Sequence, residues 1–237
     1  MNSNPNLSRT VQVSQCDIDF WTQQLTEHTF FLHRLLNAEV VPWLKEEAKI
    51  HYKTWYNVLN QKPVRYNAIA SNSLYAFLET IHNKIKDQTQ KVTGIPINLE
   101  LNIGDFHALV RHMIFEQTYF TRLVEGNMTI KEELLFWSQE NAEHTELLSH
   151  LLPPGDFKNA ATDLANSLKQ TSLIANSDPI YFAQELELIK RSNETAAILH
   201  GKVHSGQIRT INDAMLEHEM REAQKGEQRV QYLLTLI

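Results

Sequence analysis

The chain has 237 residues, of which 42% are apolar and 11 are histidine, and its formal net charge is -6. This length provides for a sizeable buried core in one large domain or two small ones. The charge is spread along the chain without a Lys/Arg-rich run, which disfavours nucleic-acid binding. Gly and Pro number only 7 each, well below average usage, and this favours long helices over a turn-rich β fold.

The N-terminal segment, residues 1–15, is polar and lacks the apolar core and cleavage pattern of a signal peptide, so we predict a flexible arm. The chain has no run of about 18 apolar residues, so no membrane span is expected. Cys16 is the single cysteine and cannot form an internal disulfide. This fits a reducing compartment, and we expect a cytoplasmic protein.

Apolar periodicity predicts about eight helices, with ends good to about two to four residues. Their ranges are 16–37, 39–61, 67–91, 104–125, 130–152, 157–175, 179–204 and 211–236. Thr129 with Glu132, and Thr210 with Asp213, have capping-box spacing at the starts of two helices. Asp178-Pro179 predicts a third start, because proline at the first helical position loses no hydrogen bond.

Three further features mark helix ends and connections. Pro153-Pro154-Gly155 is expected to end the fifth helix, and the stretch 93–104 is the longest predicted irregular connection. Pro42 is tolerable near the start of the second helix. No low-complexity linker separates the halves of the chain, so we expect them to pack together.

A segment of the first predicted helix recurs in the fifth at a constant spacing of 116 residues. Phe20-Trp21, Glu27-His28-Thr29 and Leu35-Leu36 correspond to Phe136-Trp137, Glu143-His144-Thr145 and Leu151-Leu152. A shorter match relates the fourth and eighth helices, where the His-x-x-x-Glu pairs His112/Glu116 and His218/Glu222 are 106 residues apart. We therefore predict an all-α fold of two four-helix repeats, residues 16–126 and 127–237, packed together around a metal site.

The repeated histidines and glutamates are candidate metal ligands. On a helix that turns about 100° per residue, His28 shares a stripe with Trp21 and Leu25 and so points inward. His112 and Glu116 share one helix face, as His218 and Glu222 do, and residues four apart can reach one ion together. The predicted ligands are Glu27, His28, His112, Glu116, Glu143, His144, His218 and Glu222. Imidazole and carboxylate suit Fe or Mn, with Zn also acceptable.

Each half offers at most four ligands, whereas a carboxylate-bridged pair of metals usually takes about six from four helices. One composite site fed by both halves meets this need, and two separate single-metal sites are the alternative. In the second case Glu79-x-x-His82 on the third helix could complete the first site. A buried His/Glu ion-pair network inherited by duplication would leave the same sequence pattern. His33, His51, His107, His150, His200 and His204 are unmatched between the halves and are expected at the surface or behind the ligands.

The tandem Phe-Trp-x5-Glu-His segments, Phe20 to His28 and Phe136 to His144, each followed by a helix with His-x-x-x-Glu, resemble the Bacillus metalloprotein-like family of uncharacterised proteins. The resemblance covers nearly the whole chain after the arm. It implies a duplicated helical bundle, ferritin-like in general appearance, with a metal centre between the repeats and the eight ligand positions given above. Lys225 and Arg229 replace the apolar continuation of the repeat, so the half-sites need not be equivalent. The family brings no established reaction.

These patterns leave three hypotheses for function. The first is a non-haem protein with two Fe or Mn ions that acts on dioxygen, peroxide or a small substrate, with Tyr119 as a hydrogen-bond donor one turn from Glu116. The second is a mononuclear metal-dependent hydrolase or transferase, in which a free glutamate acts as base. The third is a non-catalytic helical scaffold whose polar core only specifies packing. Metal identity, substrate and oligomeric state are not given by the sequence.

Overall fold

The computed structural model describes residues 5–36, 38, 41–89, 103–177, 181–208 and 213–237. In these residues a short 3-10 helix, Pro5–Ser8, precedes eight α-helices. They are α1 (Gln15–Leu35), α2 (Pro42–Leu59), α3 (Ala68–Thr89), α4 (Ile103–Val124), α5 (Ile130–Leu151), α6 (Asp156–Ser177), α7 (Phe182–His204) and α8 (Asp213–Leu234). The all-helical prediction is confirmed, and each helix end lies within three residues of its predicted position. None of these helices combines the length and apolar character needed to cross a membrane.

The chain divides into two compact units. The N-terminal unit contains residues 12–127, and the C-terminal unit contains residues 128–237 with the N-terminal residues up to Val11. In the N-terminal unit α1 packs on α2 and α4, and α3 packs on α2 and α4. The C-terminal unit repeats this pattern, because α5 packs on α6 and α8, and α7 packs on α6 and α8. Each unit is therefore a four-helix bundle with these four helix pairs in common, and in the C-terminal unit α5 also packs on α7.

Local chemistry explains where the first helix of each unit begins. At α5 the Thr129 hydroxyl accepts a hydrogen bond from the Glu132 N–H (3.2 Å), and the Glu132 carboxylate accepts one from the Thr129 N–H (2.9 Å). This confirms the predicted capping box. Ser14 and Asp17 form the same reciprocal pair at α1, with distances of 3.2 and 2.9 Å. The matching caps start both helices with their first N–H groups satisfied.

Two other predicted helix boundaries are confirmed, and the remaining ones lie outside the described residues. Pro42 occupies the start of α2, as expected for a residue that needs no N–H there. The Pro153–Gly155 segment separates α5 from α6, which confirms the predicted end of the fifth helix. Thr210, the Asp178-Pro179 pair and residues 93–102 of the predicted connection lie outside the described residues.

The end of the predicted N-terminal arm pairs with the start of α5. The Val11 N–H donates to the Met128 carbonyl (2.8 Å), and the Ile130 N–H donates to the Arg9 carbonyl (2.9 Å). Leu7 and Val11 are each only 7% exposed. These two apolar side chains and the backbone hydrogen bonds hold the segment against α5, although its composition is mostly polar.

A tryptophan at the same place in each repeat joins the first and fourth helices of its unit. Trp21 is fully buried and lies 5.2 Å from the ring of Tyr119 and 6.4 Å from that of Phe120 on α4. Trp137 is also fully buried, but its neighbour on α8 is Gly226, where a Cβ would lie 2.7 Å from Trp137 Cε3. Phe120 and Gly226 correspond at the 106-residue spacing. The two units therefore fill this position with residues of very different size.

We predict that Gly226→Ala destabilises the protein by about 1–2 kcal/mol, because its methyl group would overlap a buried indole that has no room to move. The clash outweighs the gain of roughly 1 kcal/mol that alanine brings to a helix interior. Urea denaturation of the two proteins measures the difference. Gly201→Ala in α7 is the matched control, because nothing lies within 4 Å of its new Cβ. That variant should gain stability, and equal effects of both substitutions would contradict the close approach at Gly226.

Candidate metal sites

In the N-terminal unit, α1 and α4 bring together His28, His112 and Glu116, which we call the first cluster. Glu116 Oε2 lies 3.0 Å from His28 Nε2, and Glu116 Oε1 lies 3.4 Å from His112 Nε2. All three side chains are buried, and Glu116 is fully so. The i, i+4 spacing of His112 and Glu116 on α4 and the inward stripe of α1 produce this convergence. The inward position predicted for His28 is confirmed.

The carboxylate of Glu116 is held ionised by its neighbours. Burial by itself raises the pKa of Glu116, but the attraction of His28 and His112 outweighs burial and holds that pKa well below its ordinary value. Neither Glu116 oxygen accepts a hydrogen bond of good geometry from the described part of the chain. Each of its two oxygens lies close to an imidazole nitrogen.

In the C-terminal unit, α5 and α8 form a larger group, the second cluster, which consists of Glu140, His144, His218, Glu219 and Glu222. His144 Nε2 lies 3.2 Å from Glu140 Oε1 and 3.3 Å from Glu222 Oε2, and His144 Nδ1 lies 3.5 Å from Glu219 Oε2. His218 Nε2 lies 3.3 Å from the same Glu222 oxygen. All five side chains are buried, so three acids and two imidazoles share a small interior volume.

The His–Glu separations in both clusters match those between neighbouring ligands of a metal ion. Nitrogen and oxygen ligands about 2.1 Å from an ion, at octahedral or tetrahedral angles, lie about 3.0–3.4 Å from one another. The contacts to Glu116 and Glu222 measure 3.0 to 3.4 Å. In the second cluster Glu140, His144 and Glu222 each offer a ligand atom within 4.8 Å of the other two. These buried His/Glu groups can therefore hold a metal ion.

The structure places six of the eight predicted ligands in the two clusters: His28, His112, Glu116, His144, His218 and Glu222. Glu27 and Glu143 make other contacts. They are partly buried and accept hydrogen bonds from Gln23 (3.0 Å) and Gln139 (2.7 Å). Each precedes its histidine by one residue, which turns it about 100° round the helix from the ligand stripe. Within the described residues they are not among the groups whose ligand atoms converge, and a ligand role for them stays a prediction.

Glu140 and Glu219 belong to the second cluster but were not predicted as ligands. The sequence prediction rested on residues that recur in both halves, and these two do not. Glu140 precedes His144 by four residues, which is a ligand spacing in its own right. Its counterpart at the 116-residue spacing is Gln24, and the counterpart of Glu219 at the 106-residue spacing is Met113. Gln24 is fully buried, and its amide finds no hydrogen-bond partner in the described part of the chain. The duplication therefore preserved one carboxylate in the first cluster against three in the second.

The alternative ligand pair on α3 is engaged elsewhere. Glu79 accepts a hydrogen bond from the Tyr75 hydroxyl (3.1 Å). The ring of His82 lies 4.4 Å from the ring of His107 on α4. The contacts described for Glu79 and His82 therefore involve Tyr75 and His107, which are not members of the first cluster.

The departure from the repeat at Arg229 also has a structural explanation. Arg229 on α8 donates two hydrogen bonds to the buried carboxylate of Glu133 on α5, from Nε (2.7 Å) and Nη2 (2.8 Å). Such a bidentate pair balances the charge of an acid that is otherwise costly to bury. Asp17, the counterpart of Glu133, bonds to Ser14 at the helix start instead.

One further buried acid lies on α7 of the same unit. Glu185 is only 1% exposed, and burial raises its pKa to about 7, although a hydrogen bond from Ser138 partly opposes the shift. At neutral pH this carboxyl group is therefore divided between its protonated and ionised forms.

Comparisons with known proteins support the fold and leave the chemistry open. No family model matches the chain, and no curated protein matches it. The chain is similar to a solved structure described as an uncharacterized protein from Bacillus cereus G9241, with a TM-score of 0.63 and 18% sequence identity. The match covers 92% of this chain and 89% of that one. At this identity the likeness shows a shared fold, so any function has to be argued from the clusters themselves.

We predict that Glu185→Gln stabilises the protein at high pH and not at low pH. The folded protein holds a proton that the unfolded chain releases between pH 4.5 and about 7, so wild-type stability falls as the pH rises through this window. Glutamine cannot ionise, and its advantage should grow by roughly 3 kcal/mol between pH 4.5 and pH 8. Urea denaturation at both pH values measures this change.

Glu133→Gln is the matched control for that experiment. Its carboxylate is also buried but is paired with Arg229, so loss of its charge leaves a mostly buried guanidinium without its counter-charge. This variant should lose roughly 3 kcal/mol at neutral pH. A Glu185→Gln protein whose advantage does not change with pH would show that the Glu185 pKa is not raised.

Proposed function

We propose that this protein is a non-haem metal-binding protein, in which the buried clusters of its two four-helix units hold Fe or Mn ions. The observation that carries the proposal is the recurrence of one arrangement. In each unit an inward histidine of the first helix converges with a His-x-x-x-Glu pair of the fourth helix at distances that suit shared coordination. A buried network of this size is costly without a balancing ion.

The ligand types narrow the choice of metal. Imidazole nitrogens and carboxylate oxygens suit Fe, Mn and Zn, whereas a thiolate site is excluded because Cys16 is the single cysteine and is exposed. The sequence predicts a dinuclear centre, because its eight repeated ligands meet the need for about six ligands from four helices in carboxylate-bridged di-iron and di-manganese proteins. The helical fold shared with an uncharacterised Bacillus cereus protein agrees with membership of the Bacillus metalloprotein-like family, which we include in the proposal.

The surroundings of the clusters suit redox chemistry on a small molecule. A metal ion bound there would supply an open coordination position for dioxygen, peroxide or a small substrate. The chain's own residues keep the site dry, because the cluster side chains are almost fully buried beneath the helices. His28 and His112 hold the pKa of the Glu116 carboxyl low, and we propose that Tyr119, one turn further along α4, donates a hydrogen bond to the bound molecule. We therefore propose an oxidoreductase acting on a small molecule.

The first test is the metal content of protein purified without a histidine tag. We expect Fe or Mn by elemental analysis, with a visible absorption band after aerobic iron loading. His28→Ala should remove metal from the first cluster and His144→Ala from the second, because each deletes the imidazole that contacts the central carboxylate of its cluster. Metal-to-protein ratios of the two variants show how many ions each cluster holds.

Glu27→Gln and Glu143→Gln are the controls, since both acids contact glutamines of their own helix in the structure. Metal loss in these variants would place them among the ligands as the sequence predicts. One redox-silent zinc per chain with bound water would instead favour a mononuclear hydrolase. A wild-type protein without metal that also fails to take up Fe or Mn would overturn the proposal in favour of a scaffold.

A second prediction concerns stability. A metal that binds only the folded state at about 100 times its dissociation constant stabilises that state by about 2.7 kcal/mol. Chelation should therefore lower the melting temperature of the wild type, and added Fe²⁺ or Mn²⁺ should restore it. The His144→Ala protein should respond less to both treatments. Identical melting curves with chelator and with metal would contradict a structural contribution of the ions.

A further inference from the structure

A third group of possible metal ligands lies at the junction of α7 and α8 and includes His200 and His204, which are unmatched between the halves of the sequence. His200 Nε2 lies 3.4 Å from Asp213 Oδ1 and 3.7 Å from Glu217 Oε1. His204 Nδ1 lies 3.5 Å from the other Asp213 oxygen, and the rings of His200 and His204 are 6.1 Å apart. The four residues thus form two i, i+4 pairs, one on the last turns of α7 and one on the first turn of α8.

This group differs from an ordinary surface ion pair in its geometry. One nitrogen of His200 lies near two different carboxylates, and one carboxylate, that of Asp213, lies near two different imidazoles. Neither His200 Nε2 nor Asp213 Oδ1 has a hydrogen bond of good geometry within the described residues. Ligand atoms of His200, Asp213 and Glu217 all lie within 4.8 Å of one another. Unprotonated imidazoles and carboxylates so placed can close around one ion.

The N-terminal unit carries a related feature at the corresponding junction. His107 corresponds to Asp213 at the 106-residue spacing, and its ring lies 4.4 Å from that of His82 on α3. In both units, therefore, a histidine of the third helix lies beside a possible metal ligand near the start of the fourth helix. The pairs are His82 with His107 and His200 with Asp213. The C-terminal unit adds His204 and Glu217, which complete a set of four.

We propose that His200, His204, Asp213 and Glu217 form a surface site for a divalent transition-metal ion such as Zn²⁺, which ties the end of α7 to the start of α8. The site is separate from the second cluster, since its side chains are 32%, 77%, 44% and 54% exposed in that order. An ion there exchanges with solvent, and its binding needs no opening of the bundle. It stabilises the folded state by linkage and adjusts the packing of the helix that carries His218 and Glu222.

The side chains of this site are exposed and those of the two clusters are buried, so an experiment that detects only surface histidines tests this site alone. Full-length, tag-free protein is passed over an immobilised Ni²⁺ column, which reaches surface histidines and not buried ones. We expect retention of the wild type, because i, i+4 histidines can bind one immobilised ion together. The His200→Ala/His204→Ala protein should elute at least several-fold earlier in imidazole. His150→Ala, an exposed histidine of α5, is the matched control and should elute like the wild type.

Calorimetric titration with Zn²⁺ tests the two acids. In the His28→Ala/His144→Ala background, which disables both buried clusters, Asp213→Asn/Glu217→Gln should weaken the remaining Zn²⁺ binding at least tenfold. Unchanged affinity, or a wild type and a double-histidine variant that elute together, would overturn the surface site. The outcome is independent of the proposed function, since loss of buried Fe or Mn in His144→Ala leaves column retention intact. Circular dichroism of each variant establishes that it is folded.

Discussion

The structure of each unit depends on how a buried carboxylate is balanced by one imidazole from its own helix and one from the facing helix. Glu116 is fully buried and has a histidine nitrogen within 3.4 Å of each oxygen. Removing such a group from water costs several kcal/mol unless nearby charges compensate it. The packing of α1 on α4 thus requires that His28 and His112 face Glu116, and the same constraint relates His144 and His218 to Glu222 in the other unit. The apolar contacts above and below these groups then fix the two helices in register.

The duplication kept this polar centre while the packing around it diverged. Trp21 lies against the aromatic ring of Phe120, whereas Trp137 closes on Gly226 with no side chain between them. A buried acid of the second copy, Glu133, gained Arg229 as a partner. Steric fit can be met by many combinations of large and small residues. The position of a buried charge is constrained by its counter-charges, so it changes less readily than the surrounding core.

The helices and the duplicated unit were predictable, because helical periodicity and capping pairs such as Thr129/Glu132 are local in sequence. The histidines of the clusters were also predictable, since each stands in a repeated motif. Glu140 and Glu219 were not, because neither has a matching residue in the other repeat. The cluster of His200 with Asp213 depends on a contact between two helices, although each helix carries two possible ligands at i, i+4 spacing. Glu27 was predicted as a ligand from the same repeat, and although a rotation of about 100° separates it from His28, its ligand role stays a prediction.

The unequal carboxylate counts distinguish the two clusters as hosts for an ion. As metal ligands the imidazoles are neutral and the carboxylates ionised, so the first cluster would contribute one negative charge to an ion and the second would contribute three, from Glu140, Glu219 and Glu222. With a divalent ion the first cluster would have a net charge of one positive unit. With a trivalent ion the second cluster would be neutral. Carboxylates stabilise the higher oxidation state of a metal because they lower the energy of added positive charge. Within the proposed function, this difference favours the C-terminal unit as the place of redox chemistry and leaves the first cluster better suited to a divalent ion.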